Sequence, residues 1–179
     1  MDNPTNALII AVAIAALIVA VVAWLMFRNR RTEALRRQFG PEYDETVRAA
    51  GRRAAAEADL LARTKRVKAL EIHPLTTTDR DRFAERWRAT QASFVDNPAQ
   101  AVGEASALVD EVMRARGYPV ADFEHRAADI SVDHPRFVQN YREAHAIALA
   151  AQRGTARTED LRRATIHYRD LFEDLLEAA

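Results

Sequence analysis

The sequence predicts an all-α protein: an N-terminal transmembrane helix followed by a soluble antiparallel helical bundle of about five helices. Three observations carry this. Ala7 to Phe27 is an unbroken run of 21 apolar residues. Beyond it, apolar residues recur at steps of three and four between recognisable helix caps and breaks. No segment sustains the period-two alternation of a strand, and five glycines and six prolines in 179 residues are too few for a strand-and-turn architecture.

The apolar run comes first. As a helix rising 1.5 Å per residue it spans about 31 Å, the thickness of a bilayer's hydrocarbon core. Lipid offers no partner for a backbone amide, so such a segment must be helical. It closes on Trp24-Leu25-Met26-Phe27, and an aromatic at that position suits the headgroup region. The residues before it hold Asp2 and no Lys or Arg, whereas Arg28, Arg30, Arg31, Arg36 and Arg37 follow it. A cleaved signal peptide has the reverse pattern, a basic start, a shorter core and a small-residue cleavage site, so an uncleaved anchor is expected. Basic flanks stay on the cytoplasmic side. The expected organisation is therefore residues 1–6 as a short extracytoplasmic tail, 7–27 as the transmembrane helix, 28–40 as a basic juxtamembrane segment and 41–179 as a cytoplasmic helical bundle. The five arginines are the expected membrane-surface contacts, toward anionic headgroups.

Gly40-Pro41 breaks the first helix. Pro41 suits a first helical turn, and Glu42, Asp44 and Glu45 suit a helix N-terminus. That helix is expected to run to about Leu70, before His73-Pro74, with a buried stripe of Val47, Ala50, Ala54, Ala58 and Leu61. Thr78 and Asp81 have the spacing of a capping box, ahead of a helix with Phe83, Trp87, Thr90 and Phe94 on one face. Asn97 caps and Pro98 opens the next, which runs to Arg116 with Ala101, Val102, Ala105, Leu108, Val109, Val112 and Met113 inward; Gly117 ends it. A short helix is expected over Asp122–Ile130. Asp133 is the expected cap of a helix from Pro135 to Gly154 with Val138, Tyr141, His145 and Leu149 on one face. Thr158 is the expected cap of the last helix, which buries Leu161, Ala164, Tyr168, Leu171, Phe172 and Leu175.

Composition excludes several chemistries. The absence of cysteine rules out a disulfide scaffold, thiolate zinc or iron–sulfur ligation and a thiol nucleophile. Acidic and basic residues balance at 26 each, which argues against a nucleic-acid binder. The balance hides an asymmetry: residues 28–70 hold twelve basic and six acidic side chains, residues 71–179 fourteen and nineteen.

Six segments carry a resemblance: Phe39-Gly40-Pro41-Glu42-Tyr43, Arg116-Gly117-Tyr118-Pro119-Val120, Asp122-Phe123-Glu124, Arg126-Ala127-Ala128-Asp129, Ser131-Val132-Asp133-His134-Pro135, and His167-Tyr168-Arg169 with Phe172. Together they resemble a family of uncharacterised bacterial proteins, many with an N-terminal membrane helix. The resemblance covers most of residues 36–176. It implies a membrane anchor, and no activity, cofactor or catalytic residue comes with it.

The densest polar stretch is Gly117–Pro135. Asp122 and His125 are three apart and share a helix face, where a carboxylate orients an imidazole for acid–base or metal chemistry. The bland alternative makes Asp122 and Asp133 caps and His125 a surface residue. His145 is a candidate on an apolar stripe, against the alternative of a hydrogen-bonded core histidine. His73 and His134 precede prolines and read as turn residues, and His167 lies at the edge of the last helix's face. Phe83, Trp87 and Phe94 form either a peptide groove or, as their spacing favours, core. No Glu-x-x-His, His-Glu-x-x-His, phosphate loop or nucleophile elbow is present. The expected function is thus a membrane-tethered helical interaction or scaffold module with an unidentified protein partner, no nucleic acid, no metal and no cofactor. The alternative is an enzyme or metal-binding protein using Asp122, His125 and His145 in a bundle cleft.

Overall fold

A computed structural model describes residues 4–119 and 122–178. Residues 1–3 of the expected tail and Val120 of the Arg116–Val120 segment lie outside the described residues. The fold is all-α, with no strand among the described residues: α1 (Pro4–Phe39), α2 (Pro41–Ala50), α3 (Arg53–Lys68), α4 (Thr77–Ser93), α5 (Pro98–Ala115), α6 (Phe123–Asp133), α7 (Val138–Gln152) and α8 (Thr158–Glu177). The chain divides into two compact units, residues 1–38 and 39–179.

The first unit is helix α1. Its stretch Ala13–Phe39 is long and apolar enough to cross a membrane, and none of its most apolar part is buried. Leu17, Val19, Trp24 and Phe27 are exposed, Phe27 by 70%. The helix runs without a break through the arginine-rich segment, and the Arg28 guanidinium lies 5.3 Å from the centre of the Trp24 ring.

The second unit is a helical bundle whose core lies among α4–α8. Helix α5 packs against α4, α7 and α8, and α8 also covers α7. All seven inward residues expected on α5 are buried, as are all six on α8. Trp87 of α4 stacks on Phe172 of α8 with ring centres 4.7 Å apart, so this aromatic face is core and not an open groove. Asn97 caps α5, its Oδ1 accepting from the Gln100 amide at 3.2 Å.

Several local expectations are corrected. The helix expected over 41–70 is two helices. Gly51 closes α2 in the left-handed region (φ 66°), its amide donating to the Val47 carbonyl at 3.1 Å, and α3 folds back on α2. The break resets the helical phase. The buried residues are therefore Glu42, Tyr43, Thr46, Ala56, Glu57, Leu60 and Val67, while Ala50, Ala54 and Ala58 are exposed and Val47 and Leu61 half-buried. The cap of α4 is Thr76, not Thr78. Thr76 Oγ1 accepts from the Asp79 amide at 3.1 Å and donates to Asp79 Oδ2 at 2.7 Å. Asp133 caps nothing: it is the last residue of α6, and α7 starts at Val138 with no side-chain cap. Asp133 Oδ2 instead accepts from the Tyr118 hydroxyl at 2.7 Å, a partner fifteen residues away. The buried face of α7 is Val138, Tyr141, Ala144, Ile147 and Ala148, rotated from the expected one, so His145 is half-buried and Leu149 exposed. Thr158 is the first residue of α8 and Arg157 holds the cap position, its amide reaching Asp160 Oδ2 at 3.4 Å.

Gly117 ends α5 as expected, at φ 94°, and a second constraint acts there. A Cβ at Gly117 would lie 2.4 Å from the Glu71 carbonyl oxygen, because the link after α3 crosses this turn, with the His73 amide bonded to the Arg116 carbonyl at 3.0 Å. Gly117→Ala combines left-handed strain with a backbone collision and should destabilise the protein by about 2 kcal/mol or more. Gly103, inside α5, has open space around its Cβ position. Gly103→Ala should stabilise by about 0.5–1 kcal/mol through helix propensity. Urea denaturation of the two variants checks the opposite signs.

Candidate functional site

Charged side chains converge where α2, α3, α6 and α7 meet, around a cleft of about 480 Å³ lined by Glu42, Asp59, Arg63, Glu124, Gln139 and Arg142, among others. A shallower extension of about 220 Å³ adds Arg66 and His125.

Glu42 is the centre of this arrangement. Pro41 starts α2 and sets Glu42 in its first turn, where a carboxylate also suits the helix dipole. Glu42 is only 1% exposed. Its Oε1 accepts from Arg63 Nη1 at 2.8 Å and Arg142 Nη2 at 2.9 Å; its Oε2 accepts from Arg142 Nη1 at 2.6 Å and Gln139 Nε2 at 2.8 Å. Arg142 is thus a two-pronged clamp, the geometry that makes a guanidinium–carboxylate pair strong. Burial pushes the Glu42 carboxyl up, but the hydrogen bonds and charges of Arg142 and Arg63 outweigh it and hold it below the ordinary glutamate value. A carboxylate with four donors has its lone-pair sites filled. It has no proton to give near neutrality and no free oxygen to take one, so the centre of the cleft is a clamp and not an acid–base pair.

The clamp extends along the same seam. Arg63 also bonds Ser131 Oγ at 3.3 Å and pairs with Asp59 at 2.7 Å. Arg66 holds the buried Asp129 through Nε at 2.7 Å and Nη2 at 2.6 Å. The Tyr43 hydroxyl donates to Glu57 Oε1 at 2.9 Å, joining α2 to α3.

A second polar group lies between α5, α6 and α7. The Tyr141 hydroxyl donates to Asp110 Oδ1 at 3.3 Å, and Arg126 Nε lies 3.3 Å from that oxygen and 3.4 Å from the Tyr141 oxygen. Burial raises the Asp110 carboxyl against the opposing charge of Arg126. A third group fastens the end of α8: Arg116 Nη1 donates to the Leu175 carbonyl at 3.0 Å, and the buried His134 pairs with Asp174. His134 does end a helix at a turn, and it also makes this tie.

The three candidate catalytic residues do not assemble. Asp122 caps α6: its Oδ1 accepts from the His125 amide at 3.1 Å and its Oδ2 meets His125 Nδ1 at 2.6 Å. Those hydrogen bonds hold the Asp122 carboxyl below its usual range. Both side chains are largely in solvent. His145 instead lies flat on Phe123, ring centres 3.6 Å apart. Burial and the nearby Arg126 charge push its imidazole down, toward the neutral form. His167 sits 3.3 Å from Glu143. Among the described residues no group of three His, Asp or Glu side chains is close enough to hold a metal ion. Arg28, Arg30, Arg31, Arg36 and Arg37 are exposed on α1.

Sequence reasoning missed Glu42, Arg63, Arg66, Asp129 and Arg142 as a group. Glu42 read as an ordinary first-turn acid. The one local hint was that the group's two buried acids, Glu42 and Asp129, both fall in segments that carry the resemblance, with nothing to show which arginines meet them.

Fold and site define an all-α protein with, among the described residues, one helix long and apolar enough to cross a membrane, and a bundle to which α2 and α3 are tied through buried ion pairs. No family model, curated protein or solved structure matches the chain.

Removing the Glu42 carboxylate strands two partly buried guanidiniums. Glu42→Ala should weaken the docking of α2 and α3 on α6 and α7 by about 3–5 kcal/mol, whereas His125→Ala should leave the urea midpoint unchanged. The folded carboxyl titrates below the unfolded value of 4.5. Its contribution is therefore full above that pH and lost as the pH falls through the folded value. Urea midpoints between pH 7 and 3 should drop more steeply for the native chain than for Glu42→Gln.

Proposed function

We propose that this is a membrane-tethered helical interaction module that carries out no catalysis of its own. In this reading residues 7–27 cross the bilayer, residues 1–6 face the extracytoplasmic side, and residues 28–40 lie at the inner surface with Arg28, Arg30, Arg31, Arg36 and Arg37 against anionic headgroups. The bundle of residues 41–179 works in the cytoplasm on a protein partner.

The observation that carries the proposal is α1 itself. Its apolar side chains from residue 13 to Phe27 are exposed all round, and the arginines follow the apolar run on the same unbroken helix. Successive helical residues are about 100° apart, so Arg28, Arg30 and Arg31 cover one side of the axis and Arg36 and Arg37 the other, and the five together ring it. A helix lying flat on a membrane keeps its cations on one face; a ring of cations at one end suits a helix standing through it. Each basic residue near an anionic leaflet adds about 1 kcal/mol. The cleft supports the non-catalytic part, since its buried acids and bases are engaged with one another.

Orientation rests on the basic flank. A C-terminal alkaline phosphatase fusion should be inactive and a fluorescent protein fusion bright, with the protein retained in membranes after carbonate washing. An active phosphatase would place the bundle outside, and release by carbonate would remove the anchor.

A further inference from the structure

The α2–α3 hairpin lies outside the main apolar core and is tied to α6 and α7 through buried charged groups. The apolar core is built from residues of α4–α8 and the links between them. Among the described residues, the buried apolar side chains of the hairpin, Tyr43, Ala56, Leu60 and Val67, are not part of it. Side-chain hydrogen bonds and ion pairs reach from the hairpin to α6 and α7: Glu42 to Arg142 and Gln139, Arg63 to Ser131, and Arg66 to Asp129.

Such a seam behaves unlike apolar packing. The desolvation of buried ions offsets most of their mutual attraction, so the intact seam holds the hairpin only modestly. Loss of one partner then leaves an uncompensated charge and turns the contact against docking. Elements outside the main apolar core open locally before the whole domain does. The hairpin also closes on itself, through Gly51 and the Tyr43–Glu57 bond, so it can leave as a unit.

We propose that the α2–α3 hairpin is a charge-latched clasp: it undocks from α6 and α7 as one body while α4–α8 remain folded, and the Glu42 and Asp129 carboxylates are its two catches. The groups around the Glu42 catch are Arg63 and Asp59 on α3, Glu124 on α6, Arg142 and Gln139 on α7, and Glu45 on its own helix. Opening exposes the surface around Arg142, Ser131 and Asp129 to solvent. The inference does not depend on whether α1 crosses a membrane.

Amide hydrogen exchange by mass spectrometry on the full chain in detergent micelles at neutral pH tests it. In the native chain, amides of residues 43–68 should exchange at least about tenfold faster than those of α5 and α8. Glu42→Gln and, more mildly, Arg66→Gln should widen that gap by raising exchange in residues 43–68 alone. Equal protection across α2–α8 in the native chain overturns the proposal. So does loss of protection in all these helices together in either variant, because both results mean that the hairpin opens only with the whole bundle.

Discussion

A carboxylate removed from water persists as an ion only if the protein supplies what water supplied, and Glu42 is the place where this chain meets that demand. Its four donors come from α3 and α7, so α2 cannot take its place unless both are in position. Arginine is suited to the task in a way lysine is not, since one planar guanidinium satisfies both oxygens at fixed geometry. The same demand commits the buried charges of the cleft to one another. The groups that could move protons are committed to one another, and those left in solvent, such as Asp122 and His125, are held by a helix cap.

The bundle side obeys a different rule. Around Trp87, Phe172 and the inward face of α5, apolar area is removed from water and geometry is set by packing. Polar residues are kept to its margins, where they tie ends together: Arg116 to the last turn of α8, Tyr118 to Asp133, His134 to Asp174. The polar density of Gly117–Pro135 is therefore a fastening. It joins the exit of α5 to the exit of α8 and supplies Asp129 and Ser131 to the hairpin.

Legibility in the sequence followed this division. Helices α4, α5 and α8 were readable because each is one uninterrupted helix with one face on the core, so spacing alone reports burial. α2 and α3 were not, because Gly51 restarts the helical phase and the buried face includes Glu42, Thr46 and Glu57, which carry no apolar signal. Asp133 and Thr158 misled because cap residues are recognised from local context. Asp133's true partner is Tyr118, and Thr158 had a competitor one residue earlier in Arg157. The three candidate catalytic residues were each plausible on spacing, but whether His145 faced Asp122 or Phe123 depends on how α7 is rotated. The cleft itself had no local signature, since its contacts join residues 21, 63 and 100 positions apart.

That last separation has a consequence in time. Translation adds about 5–20 residues per second, so roughly 5–20 seconds pass between the synthesis of Glu42 and that of Arg142. Gly51 and the Tyr43–Glu57 bond let the hairpin form early, with Arg63 as its first counter-ion. Asp129 arrives later and Arg142 later still. For that interval each nascent chain displays an unfinished, half-neutralised hairpin to whatever stands near the ribosome, and its completion waits on the far end of the message.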